Sequence, residues 1–204
     1  MKTLLYTLLP ALFLTIGCTA DDTETALQTE TPLLSAQEIS DLQFLREEEK
    51  LAHDVYTYAY ERYGLNIFNN IASSEQTHTD AVFNLMMNYG VEDTASETIG
   101  TFTDPELAAL YANLIAKVNL SEADALLVGA TIEDLDIYDL DEKATHTTNT
   151  ELHTLYSNLK CGSENHMRAF TNQLSSRAIS YDPTYISVAE YETILAGSQG
   201  GCGN

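Results

Sequence analysis

From residue 35 onward, apolar residues recur every three or four positions, which is the spacing of amphipathic α-helices. No segment alternates apolar and polar residues for long enough to make a convincing β-strand. The pattern therefore predicts an all-α domain with four long helices and two short ones. The long helices are predicted over 35–63, 66–89, 121–141 and from 148 or 149 to about 177, and the short ones over 105–118 and from 187 onward.

Signals at the ends of these segments support the helix boundaries. Ser35 and Glu38 form a capping-box pattern at the start of the first helix. Gly64 and Gly90 follow the first two helices, at positions where a residue that tolerates a left-handed backbone ends a helix. Pro105 stands at the first position of a predicted short helix, where proline is favoured.

Two polar residues, Glu75 and His78, lie on the apolar face of the second helix. Residues three or four apart share a helical face. This face is formed by Phe68, Ile71, Glu75, His78, Val82, Leu85 and Tyr89. A carboxylate and an imidazole that face a core destabilise the fold unless a partner satisfies them. A metal ion would satisfy both, and an inward Glu-x-x-His is the recurring element of di-iron and di-manganese four-helix bundles.

Each of the other long helices also carries a polar residue on its apolar face. On the first helix, at least one of Glu48 and Glu49 must face inward, and the periodicity favours Glu49. Glu133 lies within an apolar run of the third long helix. His78 follows Glu49 by 29 residues. Since His166 follows Glu133 by 33, each half of the domain reads as a helix with a buried acid and then a helix with a buried histidine.

The second half does not repeat the Glu-x-x-His element. Ser163 stands where the first half has its glutamate, and Glu164 points roughly 160° away on the helix. Asp136, one turn after Glu133, is therefore interpreted as a second acid ligand or as a hydrogen-bonding partner of a ligand. The candidate metal ligands are Glu49, Glu75, His78, Glu133 and His166, with Asp136 as the sixth.

The remaining polar residues of the helices are expected to be exposed or structural. Packing in the core is the simpler interpretation of Tyr56, and the alternatives are a hydrogen bond to a ligand carboxylate or a role as a redox neighbour of the metal. We predict that Asp134, Asp139 and Asp141 are solvated, because they lie away from the apolar faces. We also predict that His53, His146 and His153 are surface residues, because they lie off these faces or in polar surroundings.

The amino terminus has the pattern of a secretory leader. Residues 1–17 combine a short basic start with an apolar run that is too short for a comfortable membrane span. Cys18 at its end predicts a lipoprotein whose first mature residue is lipidated, and ordinary secretion with cleavage near Ala20 is the alternative. The threonine- and acid-rich residues 18–34 are interpreted as a flexible tether.

Charge and cysteine content restrict the partners and the compartment. The chain has 31 acidic and 9 basic residues, a formal charge of −22 at pH 7, and such a surface repels nucleic acid and anionic lipid. We therefore expect no nucleic-acid partner and membrane contact through the lipid anchor only, while a homodimer stays open. Cys161 and Cys202 could form a disulfide that joins the glycine-rich tail, residues 197–204, to the domain over 35–196.

Several of these segments resemble known families. Residues 49–58 resemble the first helix of rubrerythrin-like proteins, in which a glutamate ligand is followed by alanine at plus three and tyrosine at plus seven. Residues 47–56, 72–78 and 162–170 are similar to an uncharacterised prokaryotic family of the ferritin-like superfamily, a domain of unknown function of the 2202 type. The resemblance implies a ferritin-like antiparallel four-helix bundle with a di-metal centre. It implies no particular substrate.

Together these observations predict an exported, membrane-anchored lipoprotein of the bacterial cell envelope that binds two metal ions. Iron is the first expectation, and manganese and zinc suit the same oxygen and nitrogen ligands. With two irons, ferrous iron oxidation or peroxide reduction is the expected activity. The alternative is a non-enzymatic helical module with a structural or vestigial metal site that binds a partner, because Ser163 interrupts the second Glu-x-x-His.

Overall fold

The computed structural model describes residues 33–198 and 200–202. Within these residues the chain forms six α-helices and no β-strand, so the all-α prediction is confirmed. The predicted leader over 1–17, Cys18 and most of the predicted tether lie outside the described residues. None of the helices in the described part is long and apolar enough to cross a membrane.

Helix boundaries lie within a few residues of those predicted. The helices are α1 Ala36–Tyr63, α2 Asn66–Tyr89, α3 Pro105–Val118, α4 Glu122–Ala144, α5 Thr150–Ser175 and α6 Val188–Ala196. At the start of α1, the Ser35 hydroxyl accepts a hydrogen bond from the Glu38 amide at 3.2 Å, and the Glu38 carboxylate accepts one from the Ser35 amide at 2.7 Å. Gly64 ends this helix with φ of 68°, a backbone conformation that favours glycine.

The four long helices form an antiparallel bundle. The α1–α2 and α4–α5 hairpins pack together, with α1 beside α4 and α2 beside α5. Tyr56, late in α1, donates a hydrogen bond to the Gly129 carbonyl early in α4. Asn149, just before α5, donates to the Tyr89 hydroxyl at the end of α2. Neighbouring helices therefore run in opposite directions, while α3 packs on α1 and α4, and α6 packs on α5.

Two apolar clusters fill the bundle on either side of a polar layer. One cluster contains Tyr56, Phe68 and Phe170, whose ring centroids lie 5.3 to 6.4 Å apart. The other contains Leu42, Leu45, Val82, Met86, Leu152 and Leu159. Along α1, α2 and α5 the residues between the two clusters are polar and include the predicted ligands. The apolar clusters thus enclose these polar groups within the bundle.

The chain between α2 and α3 is fastened to α1 by buried charges. The Glu47 carboxylate accepts hydrogen bonds from the amides of Thr103 and Asp104, at 2.6 and 2.7 Å. One turn further on, Lys50 forms a salt bridge of 2.5 Å with Asp54, and both side chains are buried. Because Glu47 holds the residues that cap α3, this contact fixes α3 beside the polar layer.

The prediction that the Asp134 side chain is solvated is wrong. It is fully buried, and its carboxylate accepts hydrogen bonds from the Tyr181 hydroxyl at 2.7 Å and from the amides of Thr184, Tyr185 and Ile186 at 2.5 to 3.1 Å. Four donors offset the free energy of removing the carboxylate from water. Asp134 therefore anchors the segment that leads into α6.

A disulfide joins the carboxyl-terminal tail to α5. Cys161 and Cys202 are bonded, with their Cα atoms 5.6 Å apart. Beside the bond, the Asn165 side chain donates to the Gly200 carbonyl and accepts from the Gly200 amide. The tail thus lies against α5, where Gly200 and Cys202 line the same groove as His166.

Candidate metal centre

Glu75 lies at the centre of the polar layer, between two histidines. Its Oε2 atom is 2.8 Å from Nδ1 of His78, and its Oε1 atom is 2.9 Å from Nδ1 of His166. The carboxylate is buried, and the two imidazole rings stack with their centroids 5.5 Å apart. One carboxylate therefore faces one histidine from each half of the bundle, which is the arrangement of a bridging ligand.

A further glutamate completes each half. Glu49 Oε2 lies 3.2 Å from Nδ1 of His78, and Glu133 Oε2 lies 3.4 Å from Nδ1 of His166. In each group of three side chains, one ligand atom per residue lies within 4.8 Å of the others, and Glu75 belongs to both groups. The structure thus brings five predicted ligands from four helices into two adjoining groups, each with the residue types that hold a metal ion.

Both histidines are oriented by the atoms behind their rings. Nε2 of His166 lies 3.0 Å from the Ser74 hydroxyl. The His78 ring fills the space left by Gly162, where an added Cβ would lie 2.5 Å from Nε2 of that ring. Partners on the far nitrogen of a metal-binding histidine fix its orientation. Ser74 and Gly162 therefore help to keep both Nδ1 atoms turned toward the carboxylates.

Asp136 occupies the position next to Ser163. The Ser163 hydroxyl donates a hydrogen bond to Oδ2 of Asp136, and both residues are buried. The other oxygen, Oδ1, has no hydrogen-bond partner. Asp136 also lines the same cavity as Glu49, Glu75 and Glu133. The acid missing from α5 is thus matched by an acid on α4, with the shorter serine leaving room for it.

Tyr56 packs in the core and also forms a hydrogen bond to a candidate ligand carboxylate. Its side chain is fully buried in the apolar core, and its hydroxyl donates to Glu133 Oε1 at 2.5 Å and to the Gly129 carbonyl at 3.3 Å. Burial, reinforced by the Glu133 and Glu75 carboxylates, raises the Tyr56 pKa well above its ordinary value. The hydroxyl therefore keeps its proton and holds Glu133 in position.

Glu48 and Glu49 are both buried, and they differ in their contacts. Glu49 approaches His78, whereas both oxygens of Glu48 lack a hydrogen-bond partner. Burial raises the pKa of Glu48 well above its ordinary value, although the charge of Lys143 opposes this. Of these two residues, Glu49 belongs to a group that could hold a metal ion and Glu48 does not. This difference favours Glu49 as the ligand.

The electrostatics of the polar layer depend on burial and on close opposite charges. Burial raises the pKa of Glu49 to about 7 against the opposing effect of His78. Burial alone would lower the pKa of each histidine, but the carboxylates of Glu49 and Glu75 raise that of His78 to about 12. Those of Glu75 and Glu133 raise the pKa of His166 to about 10. Without a metal, two imidazolium charges therefore stand among the carboxylates.

Several ligand atoms lack the partners that buried polar atoms require. Glu49 Oε1, Asp136 Oδ1 and His166 Nδ1 are buried and have no hydrogen-bond partner. His166 Nδ1 is only 2.9 Å from Glu75 Oε1, yet the pair lacks the alignment of a hydrogen bond. Each unsatisfied group costs about 1–3 kcal/mol. The polar layer therefore fits a cation, since one ion would satisfy oxygen and nitrogen atoms that do not satisfy one another.

The comparisons with known proteins place this architecture in a family. The model for the uncharacterized protein domain DUF2202 matches residues 38–198. The chain belongs to the DUF2202 family. The uncharacterized protein MJ0754 of Methanocaldococcus jannaschii is 48% identical over 166 residues, which are 81% of this chain and 90% of the relative. The crystal structure of hypothetical protein MJ0754 from Methanococcus jannaschii is similar to this chain, with a TM-score of 0.82 and 47% identity, and the match covers 83% of this chain and 98% of the other.

Two contributors to this DUF2202 site were missed from the sequence. Gly162 had a local signal, because a glycine inside a helix is unfavourable by about 1 kcal/mol and calls for a packing reason. Ser74 had none, since its contact with His166 depends on how α2 meets α5. Sequence periodicity finds polar residues on apolar faces, and it does not find the groups that support them.

Proposed function

We propose that this DUF2202 protein is a ferritin-like di-metal protein that binds two iron ions and oxidises ferrous iron or reduces peroxide. The observation that carries the proposal is Glu75, whose two oxygens face the Nδ1 atoms of His78 and His166 at 2.8 and 2.9 Å. The resemblance to rubrerythrin-like proteins supports the same assignment. Manganese and zinc accept the same oxygen and nitrogen ligands and are the competing ions.

Each ligand takes a role from its position. Glu75 would hold both ions, and His78 and His166 would each hold one through the Nδ1 atom that faces Glu75. Glu49 and Glu133 would supply the further carboxylate on either side. Asp136, positioned by Ser163, brings the set to four carboxylates and two histidines, which matches the ligand count of di-iron carboxylate proteins. Two bound irons would supply electron transfer to dioxygen or peroxide.

The surrounding residues hold these ligands and limit water. Tyr56 donates its hydroxyl to Glu133 and so restricts the rotation of that carboxylate. The aromatic cluster of Tyr56, Phe68 and Phe170 closes one end of the polar layer, and the leucine-rich cluster closes the other. A dry surrounding strengthens the attraction between carboxylates and cations. The bundle thus strengthens the attraction of these carboxylates for a divalent cation.

The proposed location is outside the cytosol, at the membrane surface. The leader-like residues 1–17 and the cysteine at position 18 support export with a lipid anchor. The disulfide between Cys161 and Cys202 supports the same location, because disulfides persist in oxidising compartments.

One observation favours a second candidate, a non-enzymatic module with a structural metal. The second half of the site uses Asp136, whose oxygen is engaged by Ser163, in place of a glutamate on α5. A shorter and hydrogen-bonded carboxylate is less free to change its coordination. In this case a redox-inert ion such as zinc would stabilise the bundle, and no oxygen would be consumed.

Metal analysis and an oxygen-consumption assay with ferrous iron test the proposal. The purified full-length protein is expected to contain close to two metal ions per chain and to consume oxygen when ferrous iron is added. The double variant Glu75→Ala, His78→Ala is expected to lose both the metal and the activity. A matched control, Glu164→Ala with His153→Ala, removes the same residue types from positions outside the site and is expected to keep both.

The outcomes separate the two candidates. A protein that retains its metal when Glu75 and His78 are replaced would refute the assignment of the site. A protein that holds one redox-inert ion and consumes no oxygen would establish the structural module instead.

A further inference from the structure

A groove on the surface of the bundle reaches the histidine side of the candidate metal centre. It has a volume of about 460 Å³ and is lined by residues of α2, α5 and the carboxyl-terminal tail. The side chains of His78 and His166 line it and are 12% and 10% exposed. The three glutamates beside them are only 2 or 3% exposed. The histidines are therefore the ligands of these two groups that meet solvent, and we call this surface the histidine groove.

The carboxyl-terminal tail forms one wall of the histidine groove. Gly200 and Cys202 line the groove together with the two histidines. The disulfide from Cys202 to Cys161 attaches this wall to α5, the helix that carries His166. A wall of the groove therefore depends on a bond that a reductant can break.

The noncovalent contacts that the structure describes between the tail and α5 are weak. The Asn165 side chain donates to the Gly200 carbonyl at 3.0 Å and accepts from the Gly200 amide at 3.2 Å, and both hydrogen bonds are exposed to solvent. Such bonds replace bonds to water and contribute little net free energy. Gly200 and Gly201 have no side chain to bury, and glycine loses more conformational freedom on ordering than any other residue. The disulfide is therefore needed to keep the tail beside the groove.

We propose that the disulfide between Cys161 and Cys202 is a redox switch that sets how fast metal ions enter and leave the centre through the histidine groove. The inference rests on the proposed metal-binding function. In the oxidised form the tail narrows the groove. In the reduced form the tail leaves it, and a hydrated cation gains access to the histidines past polar side chains such as those of Ser74, Thr77 and Asn158, which can replace its water.

A dithiol reductant opens the switch by thiol–disulfide exchange. Its thiolate attacks Sγ of Cys161, the sulfur–sulfur bond breaks, and the electron pair leaves on Sγ of Cys202. Asn165 favours this leaving group, because its Nδ2 atom donates a hydrogen bond to Sγ of Cys202 at 3.2 Å. The second thiol of the reductant then displaces Cys161. Two electrons and two protons thus pass to the protein, which keeps two thiols, and the dithiol becomes a disulfide.

The mobility of the tail tests the switch without any metal. In the metal-free, full-length protein, NMR relaxation of the Gly200 and Gly201 amides reports motion on the picosecond to nanosecond timescale. Both amides are expected to be ordered in the oxidised protein and mobile after treatment with dithiothreitol. The double variant Cys161→Ser, Cys202→Ser is expected to match the reduced protein without any reductant. Amides that stay ordered in the reduced protein and in the variant would overturn the proposal.

The rates of metal exchange test the control of access. Manganese is the probe, because it prefers carboxylates to thiolates, and electron paramagnetic resonance of the free ion follows its uptake and its release to a chelator. The double variant is expected to exchange manganese several-fold faster in both directions, with an unchanged Kd, since access alters both rates together. Dithiothreitol is expected to accelerate exchange in the wild-type protein and not in the variant, which is the matched control. The reduced wild-type protein also covers the case in which the variant does not fold.

The results also distinguish this inference from the proposed function. If neither form binds manganese or iron, the proposed function fails, and the mobility of the tail still tests its release. If both forms bind metal and exchange it at equal rates, the switch alone is overturned. If loss of the disulfide accelerates release but not uptake, so that the Kd rises, the disulfide only stabilises the ligands and the switch is likewise overturned.

Discussion

The hydroxyl of Ser163 on α5 donates a hydrogen bond to the carboxylate of Asp136 on α4. The two positions correspond to Glu75 and Ala52 in the first half of the bundle, where the acid is on the second helix of the pair and the small residue on the first. In the second half the acid and the small residue have exchanged helices. The number of buried carboxylates near the histidines is thereby maintained.

This exchange predicts a loss and a rescue. Replacing Asp136 by alanine is expected to weaken the binding of one metal ion, so that the measured content falls from about two ions to about one per chain. The double variant Asp136→Ala, Ser163→Glu restores an acid from α5 and is expected to regain most of the lost metal. The measurement is the metal content of each purified variant, and a double variant with no more metal than Asp136→Ala alone would disprove the exchange.

The close approach of the His78 ring to Gly162 predicts that a larger residue at position 162 weakens metal binding. An added Cβ would lie 2.5 Å from the His78 ring, which cannot move without leaving Glu49 and Glu75. Overpacking of this kind costs about 1–3 kcal/mol, which exceeds the gain of about 1 kcal/mol from replacing glycine within a helix. Gly162→Ala is therefore expected to lower both the free energy of unfolding and, by about tenfold or more, the metal affinity.

The control for Gly162 is Gly201→Ala in the tail, where an added Cβ meets nothing within 4 Å. Chemical denaturation and calorimetric titration of the two variants provide the comparison. Equal metal affinity in both would show that the His78 ring is not confined by Gly162.

Tyr56 predicts a change in stability that is independent of metal. Tyr56→Phe removes the hydroxyl that donates to Glu133 and to the Gly129 carbonyl. Because Glu133 would stay buried without this donor, we expect the metal-free protein to lose about 1–3 kcal/mol of unfolding free energy. Tyr60→Phe, at a position with 36% exposure, is expected to change it little. Urea denaturation of both variants measures this difference, and equal unfolding midpoints for Tyr56→Phe and Tyr60→Phe would contradict the structural role of the Tyr56 hydroxyl.

Metal binding is expected to release protons and to strengthen with pH. A metal ion needs the free lone pair of Nδ1. Because the pKa is about 12 for His78 and about 10 for His166, both rings are imidazolium at neutral pH, with both nitrogens protonated. Glu49, with a pKa of about 7, is partly protonated as well. Filling both positions should therefore release about two protons or more at pH 7.

The proton release can be measured with zinc, which avoids redox reactions. Titration calorimetry in two buffers that differ in ionisation enthalpy gives the number of protons released per ion. The sign follows from competition: as pH rises, fewer protons remain to be displaced, and the affinity increases. Release of less than one proton for two bound ions would contradict the assignment of both histidines as ligands.

Local signals explain why much of the fold was predictable. The bounds of α1 and α2 follow from a capping box and two glycines, which act within a few residues of the sequence. The far end of α4 lacks such a stop, and the helix continues to Ala144 instead of ending near residue 141. For α5, Asn149 was one of two predicted caps, and its side chain accepts a hydrogen bond from the Glu151 amide.

The candidate ligands were predictable because each lies on an otherwise apolar helical face. The buried role of Asp134 was not predictable, because its four hydrogen-bond donors belong to residues that follow it by about fifty positions. Glu47 likewise acquires its role from the chain that leads into α3. Periodicity along one helix cannot identify a polar partner that arrives from another segment. For this reason the ligands were found, while the supporting contacts required the structure.

Glu75 is proposed to hold two metal ions, one beside His78 and one beside His166. Anomalous diffraction at the iron edge, from crystals of the full-length protein soaked with ferrous iron under anaerobic conditions, tests it most directly. Two peaks are expected among α1, α2, α4 and α5, both beside Glu75 and each next to one histidine Nδ1. Crystals with no peak in this layer, or with iron bound only at surface carboxylates, would contradict it.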